Sequence, residues 1–173
     1  MIETGVLTPS DPVELLDGWL VEKMPKNPRQ RSATWKTRRT LEQALPPGWF
    51  VNVQDPITTE TSEPEPDVTV VRGDPTDYAD RHPGPADTPL VVEVADSSLA
   101  HDRSWKRDLY ARANVRTYWI VHLVDHVLEV FTDPTPAAEF PTYTHHQILS
   151  PGQNVTLDLD HTRHTFPVTA FLA

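Results

Sequence analysis

Three charged residues stand where ordinary packing gives them no obvious place. Glu93 lies inside the apolar run LVVEVA, residues 90–95. A carboxylate there loses water, which is costly unless something positive is close by. It is a structural glutamate paired with an arginine, an outward-pointing residue at a sheet edge, or a carboxylate aimed into a cleft where a cation compensates it. Asp67 follows Pro66 and opens DVTVV, residues 67–71. Pro-Asp at a strand start is often only turn chemistry. This strand, however, is expected to neighbour the one carrying Glu93. Two carboxylates at matching heights on adjacent strands repel unless a proton or a metal joins them. Lys106 is placed on the helix that follows the Glu93 strand, bordering its apolar stripe. Taken alone it reads as a solvated lysine with a weak i−4 salt bridge to Asp102.

Together the three residues fit one chemistry. The chain has no cysteine, so any metal must be held by oxygen or imidazole. Hard oxygen ligands suit Mg²⁺ or Mn²⁺. A metal on Asp67 and Glu93 would polarise a phosphate oxygen and lower the pKa of a bound water. A nearby lysine would orient that water or stabilise the developing anion. Phosphodiester hydrolysis needs those elements and little else. Other candidates are weaker. His145 and His146 are adjacent and His161 and His164 are three apart; in a strand, spacing by three puts a pair on opposite faces. Neither a Gly-rich phosphate loop nor a Gly-x-Ser-x-Gly elbow is present. Ser97-Ser98 read as a helix cap. Trp19, Trp35, Trp49, Trp105 and Trp119 are spread out and read as core.

The elements that must position these residues follow from pattern. VELLDGWLVEKM (13–24) predicts a hairpin turning at Asp17-Gly18. Residues 29–45 read as a helix with Ala33, Trp35, Leu41, Ala44 and Leu45 apolar and Arg29, Arg31, Lys36, Arg38 and Arg39 on the other faces, stopped by Pro46-Pro47-Gly48. Residues 49–56 and 67–71 read as strands and 72–89 as a loop. The near-continuous apolar run 90–95 fits a central strand covered on both faces. A helix over 101–113 with a Trp105-Leu109-Ala113 stripe ends at Asn114, a residue suited to left-handed geometry. Strands at 117–122, 127–131 and 155–159 follow, and the last residues close a small sheet or a short helix. The economical arrangement is α/β (α+β): one mixed central sheet flanked by helices.

The 173 residues suit one domain, 1–173, with a hairpin at about 13–24, a core at about 29–132 and a C-terminal extension at about 133–173. Eighteen prolines predict many irregular connections. Residues 1–12 lack the basic patch and apolar run of a secretory signal. No stretch approaches the roughly 20 apolar residues that span a bilayer. A cytoplasmic location is expected. The net charge of −10 runs against a nucleic-acid binder, whose affinity comes largely from neutralising phosphates. Either the basic residues are grouped on one side, or binding is weak, or a partner assists. Metal ligands would account for part of the acid excess.

The run QDPITTETSEPEPDVTVV, then LVVEVADSS, then HDRSWKRDLYARANVRTYWIVHLVDHVLEVF, resembles the Uma2 family of restriction-endonuclease-like proteins, part of the PD-(D/E)XK nuclease-like superfamily. VELLDGWLVEKM resembles the family's N-terminal hairpin. The resemblance covers roughly residues 12 to 160, and the order and spacing of the motifs carry it. It implies a restriction-endonuclease-like core and a Mg²⁺- or Mn²⁺-dependent endonuclease acting on nucleic acid, with DNA the expected substrate. Pro66-Asp67 matches the superfamily's Pro-Asp pair and Glu93 the acid of the second half-motif. The lysine normally two residues later is replaced by Ala95, and Lys106 on the following helix matches the family's displaced lysine. Gln54, Glu65 and Glu14 match further family positions and are expected to line the cleft. The chain departs from the family where Asn114-Val115-Arg116-Thr117 replaces Gly-Val-Pro-Glu and where His122 replaces an aspartate. Two classes of function remain: an active metal-dependent endonuclease, and a nuclease-like scaffold that binds nucleic acid or protein without cutting. Cutting a duplex needs two sites, so a homodimer is expected of the first.

Overall fold

The computed structural model describes Thr8 and residues 11–172. Strands β1 (Val13–Leu16) and β2 (Trp19–Glu22) form the N-terminal hairpin, closed by the Leu16–Trp19 pair. Its turn residues Asp17 and Gly18 both have positive φ, 48° and 81°, the geometry that matches strand twist in a two-residue turn. The Asp17 carboxylate accepts from Trp105 Nε1 at 2.8 Å and from Arg112 at 2.5 Å, which ties the hairpin to a later helix.

Helix α1 (Pro28–Glu42) starts at Asn27, whose side chain accepts from the Gln30 N–H while the Gln30 side chain accepts from the Asn27 N–H. This reciprocal cap and Pro28 in the first turn fix where the helix begins. It stops at Glu42 rather than at Leu45, because a residue before proline is disfavoured in helical geometry and Pro46-Pro47 follow. Its buried side is Gln30, Ala33, Thr34, Thr37 and Leu41; Trp35 is 56% exposed and Trp19 71%, so neither belongs to the core.

A six-stranded sheet follows, built from β3 (Trp49–Asn52), β4 (Val68–Arg72), β5 (Leu90–Ala95), β6 (Thr117–His122), β7 (Val127–Pro134) and β8 (Tyr143–Leu149), in that spatial order. Only the β5–β6 contact is parallel. A parallel neighbour needs a crossover. Here it is the helical segment 99–112: α2 (Leu99–His101), a π-helical turn (Asp102–Lys106) and α3 (Arg107–Arg112). Every residue of β5 is buried. Leu90, Val92 and Val94 face one core with α1, while Val91 and Ala95 face a second core with Leu109 and Tyr110 of α3.

Several expected boundaries move. The strand from Trp49 ends at Asn52, because Gln54 takes φ of 58° and turns the chain. The Trp105-Leu109-Ala113 stripe is only half right. The Arg107 N–H reaches back to the Asp102 carbonyl, the i→i+5 bond of a π turn, and the inserted residue rotates the face. The buried line is Asp102, Lys106 and Tyr110 with Leu109, while Trp105 and Ala113 are half-buried. Asn114 ends the helix at φ 62°.

Past residue 132 the sheet continues, since β7 runs to Pro134 and β8 pairs along it. Strand β8 has no clean alternation (YTHHQIL), which is why pattern alone does not reveal it. Strands β9 (Asn154–Leu159) and β10 (Thr162–Pro167) form a closing hairpin, and a 3-10 turn (Val168–Ala170) follows. Val155, Leu157, Leu159 and Phe166 of this hairpin join the α1-side core. Among the described residues no helix is long and apolar enough to cross a membrane.

Candidate functional site

An open cleft of about 850 Å³ is lined from five parts of the chain. The hairpin contributes Glu14, the following loop Lys26, the start of β4 Asp67, strand β5 Glu93, and the crossover Asp102 and Lys106. The register explains why the two strand acids meet. Val68 pairs with Val92, so Asp67 and Glu93 are one rung further along the same antiparallel ladder. Asp67 Oδ2 accepts the Val94 N–H at 2.8 Å across that ladder.

Lys106 sits between two carboxylates. Its Nζ donates to Glu93 Oε1 at 3.0 Å and lies 3.4 Å from Glu14 Oε1. Tyr110, one turn on, donates its hydroxyl to the same Glu93 oxygen at 2.9 Å. The second Glu93 oxygen accepts no hydrogen bond among the described residues. Glu14 Oε2 accepts from the Glu65 N–H at 3.1 Å, and the Glu65 side chain pairs with Lys23 at 2.6 Å. Gln54 lines the same cleft, held at its positive φ while its N–H donates to the Pro66 carbonyl at 3.1 Å.

A second buried glutamate makes the contrast sharp. The β5–β6 and β6–β7 registers pair Glu93 with Ile120 and Ile120 with Glu129, so both acids project from the same face of the sheet. Glu129 is fully buried, and both its oxygens are tied: Arg103 makes three bonds of 2.6 to 3.1 Å and His146 a fourth at 3.0 Å. That is a closed structural ion pair. The arginine-neutralised role weighed for Glu93 in fact belongs to Glu129. Glu93 meets a lysine and a tyrosine on one oxygen and borders open space.

The electrostatics follow from crowding. Burial pushes the Asp102 carboxyl up to about 7, with Glu93 adding to the rise; Lys106 and the Ser98 hydroxyl, which donates to it at 2.7 Å, act in opposition. Ser98 thus starts the helical segment but bonds a side chain instead of capping a backbone N–H. Burial alone would lower the Lys106 ammonium, but Glu93, Glu14 and Asp102 outweigh it and hold it above the ordinary lysine value. Lys106 is therefore a fixed positive charge. Burial lowers Lys26, with Lys106 contributing in the same direction and Glu93 and Glu14 opposing it. Burial raises the Tyr110 phenol, and Glu93 adds to that.

The donor chemistry fits a hard divalent cation. Asp67 and Glu93 offer carboxylate oxygens from adjacent strands, and the chain has no cysteine thiolate to compete. Among the described residues no group of three or more His, Cys, Asp or Glu side chains stands at metal-ligand spacing. Mg²⁺ asks for less, since it commonly takes one or two carboxylates and fills its shell with water and phosphate oxygens. One oxygen is contested. The Lys26 ammonium contacts Asp67 Oδ1, the side of that carboxylate turned away from the Val94 N–H. A positive charge already rests where a metal ligand is wanted.

The structure thus brings Asp67, Glu93, Lys106, Glu14, Gln54 and Glu65 to one cleft. Sequence reading missed Lys26, which has no periodic context in the PKN loop, and the part played by Tyr110. Tyr110 was legible as an i+4 neighbour of Lys106, but nothing in spacing marks it as a hydrogen-bond donor to Glu93. The histidines go elsewhere. His145 pairs with Asp133 at the surface, and His146 stacks on Phe131 at 4.2 Å. His122 is buried, with Nδ1 3.4 Å from Asp125 and no hydrogen-bond partner among the described residues.

A mixed sheet with acids on one antiparallel ladder and a helical crossover over their face is the architecture of a nuclease-like fold. A solved structure from Anabaena variabilis ATCC 29413, described as "a putative nuclease belonging to DUF820", has the same fold, with a TM-score of 0.73 at 12% identity over 98% of this chain and 95% of that one. The chain belongs to the Uma2 family, whose model, described as "Putative restriction endonuclease", matches residues 5–167. No curated protein matches the chain.

Proposed function

We propose that the cleft is the active site of a divalent-metal-dependent endonuclease that hydrolyses phosphodiester bonds of nucleic acid, with DNA as substrate. One observation carries this reading: Glu93, desolvated in the central strand, leaves an oxygen free toward an open cleft beside Asp67 and the charged Lys106. Asp67 and Glu93 would hold Mg²⁺ or Mn²⁺. When bound, the ion supplies the Lewis acidity that polarises the phosphate and makes water a competent nucleophile. The residues of the chain do the rest. Lys106, held protonated by its carboxylate neighbours, presents an ammonium that stabilises the anion developing at phosphorus. Tyr110 and Lys106 together fix the Glu93 rotamer through its Oε1. Glu14 and Glu65 anchor the hairpin and the loop before β4 to the same cluster. A homodimer would bring two such clefts to the two strands where a duplex is opened.

The test combines binding and chemistry. Mn²⁺ is expected to raise the melting temperature of the wild-type protein, and Asp67→Ala is expected to lose that rise. Glu93→Gln should retain the fold and lose cleavage of a supercoiled plasmid. Absence of both the thermal shift and cleavage would remove the reading. The Lys26–Asp67 contact favours a second one: a scaffold in which an internal ammonium takes the place of the metal. A wild-type protein that binds no Mn²⁺, together with a Lys26→Met protein that does, would support that alternative.

A further inference from the structure

Helix α1 carries five basic residues, Arg29, Arg31, Lys36, Arg38 and Arg39, against one acid, Glu42. The chain as a whole has 25 acids and 15 lysines and arginines, so internal partners are abundant. Yet only Arg38 is used in that way, bonding Glu42 at 2.7 Å. Arg29 and Lys36 reach backbone carbonyls of Leu123 and Leu172 at 3.0 and 2.9 Å. Arg31 and Arg39 are exposed and have no carboxylate partner among the described residues. An exposed cation is held by no desolvation demand, and its charge stays available to an anion from outside.

Helical spacing sets these groups in a line. Arg31, Trp35 and Arg39 follow i, i+4 and i+8 along an exposed stripe that flanks the buried side of Gln30, Ala33, Thr34, Thr37 and Leu41. Arg31 lines the cleft, and Arg39 lies about one helical stripe of 12 Å away, at 1.5 Å per residue. Trp35 stands in the middle, 56% exposed, with the Arg39 guanidinium over its ring at 5.2 Å from the centroid. A large aromatic ring left in water beside arginines adds nothing to the core. Phosphates match the arginines, and a base matches the ring.

We propose that this face of α1 binds a single-stranded segment of nucleic acid leading to the cleft. Arg31 and Arg39 take the phosphates and Trp35 stacks an unpaired base. A base inside a duplex already has its faces covered, so the ring selects substrates with unpaired nucleotides. That the occupant is a nucleic acid rests on the nuclease reading; that it is single-stranded rests on Trp35. The exposed stripe also reconciles a chain of net charge −10 with a polyanionic ligand, because the cations are gathered beside the site.

The test is fluorescence anisotropy with 5′-fluorescein 20-mers in EDTA, where no cleavage occurs. Single-stranded DNA, single-stranded RNA of the same sequence and the blunt duplex are compared. Wild-type protein is expected to bind at least one single strand about tenfold more tightly than the duplex, and the tighter of DNA and RNA names the sugar. Trp35→Ala should weaken single-strand binding by about 5- to 100-fold, the range of one base–aromatic stack, and leave duplex binding within about twofold. Arg31→Ala/Arg39→Ala should weaken all three ligands and flatten the salt dependence by about 1.4 for a single strand, at about 0.7 per phosphate. Equal binding of single strand and duplex, or an unchanged affinity of Trp35→Ala, overturns the proposal. Absence of binding to any oligonucleotide overturns it too and leaves the face to a protein partner. If α1 variants lose binding while Mn²⁺ fails to shift the melt, the cleft reading falls and this one stands; the converse pattern sinks this one alone.

Discussion

Replacing Lys106 by methionine should destabilise the metal-free protein severely and make it respond to metal more than the wild type does. Lys106 is 8% exposed, and it is the only cation in contact with Glu93 or Glu14 among the described residues. Both acids are themselves buried, at 4% and 8% exposure. Methionine nearly conserves the lysine stem, so the lost packing is small and the effect is electrostatic. Removing one partner of a buried pair typically costs about 3–5 kcal/mol, because the remaining charge stays uncompensated. Against a domain stability of about 5–15 kcal/mol the protein should still fold. Urea denaturation at pH 8 in EDTA measures the loss. The double variant Glu93→Gln/Lys106→Met should regain about half of it, since only Glu14 is then left unpaired; the coupling energy is about 2 kcal/mol plus whatever Glu93→Gln costs alone. A divalent cation replaces the missing positive charge. At about 100-fold over its Kd, Mn²⁺ stabilises any binder by about 2.7 kcal/mol, and relief of acid–acid repulsion adds to that in Lys106→Met. Two results would refute the reasoning: a metal-free loss below about 1 kcal/mol, or equal Mn²⁺ stabilisation of wild type and variant. Either would mean that the lysine and the metal do not share Glu93.

Three further outcomes are expected. Lys26→Met should tighten Mn²⁺ binding about tenfold by calorimetry, as removal of a competing contact worth about 1.4 kcal/mol implies; unchanged or weaker binding would show that Lys26 does not compete for Asp67. The Asp102 carboxyl, raised from 3.8 to about 7, is protonated in the folded state at pH values where the unfolded chain has already ionised. Folding therefore binds a proton between those values, and stability falls as pH rises from about 4 to 8, by up to roughly 4 kcal/mol for a single group. Asp102→Asn should remove that slope in metal-free urea melts at pH 5, 6, 7 and 8, and a variant with the wild-type slope would assign the effect to another group. Gly18→Ala meets nothing within 4 Å, so only its φ of +81° resists the change. A loss of about 1 kcal/mol, or about 2–4 °C in Tm, is expected, and no loss would mean the hairpin relaxes its turn freely.

The residues of the candidate cleft are more legible in the sequence than parts of the frame around them. Strands β5 and β6 are legible to the residue, because both are near-continuous runs buried on both faces, with Glu93 the one carboxylate among them. The hairpin and the Asn114 helix end are legible from turn chemistry, where residue type determines backbone geometry. Strand β8 is not, because Tyr143–Leu149 has one side chain in the core and five exposed, so no period forms. Trp19 and Trp35 mislead for the opposite reason: large apolar residues are assigned to the core by type, and nothing local says that a helix leaves one outside. The π turn is also invisible to periodicity, which assumes a constant rotation per residue.

That π turn explains why the site lysine can come from a helix at all. Two residues beyond Glu93 on the same face is Ala95, fully buried in the core beneath the crossover. A lysine there would place its stem where Leu109 and Tyr110 pack, so the strand position is closed to it. The crossover must then supply the charge from above. In a regular α-helix the apolar spacing of Trp105, Leu109 and Ala113 would direct those three at the sheet and turn Lys106 to the flank. One extra residue in the turn Asp102–Lys106 shifts the face of the helix, so Trp105 sits at the edge of the core with its Nε1 on Asp17 while Lys106 and Tyr110 point at Glu93. The same segment buries Asp102 without a cation in hydrogen-bond contact among the described residues, so burial displaces its carboxyl toward neutrality. The raised Asp102 and the placed Lys106 both lie in that one turn.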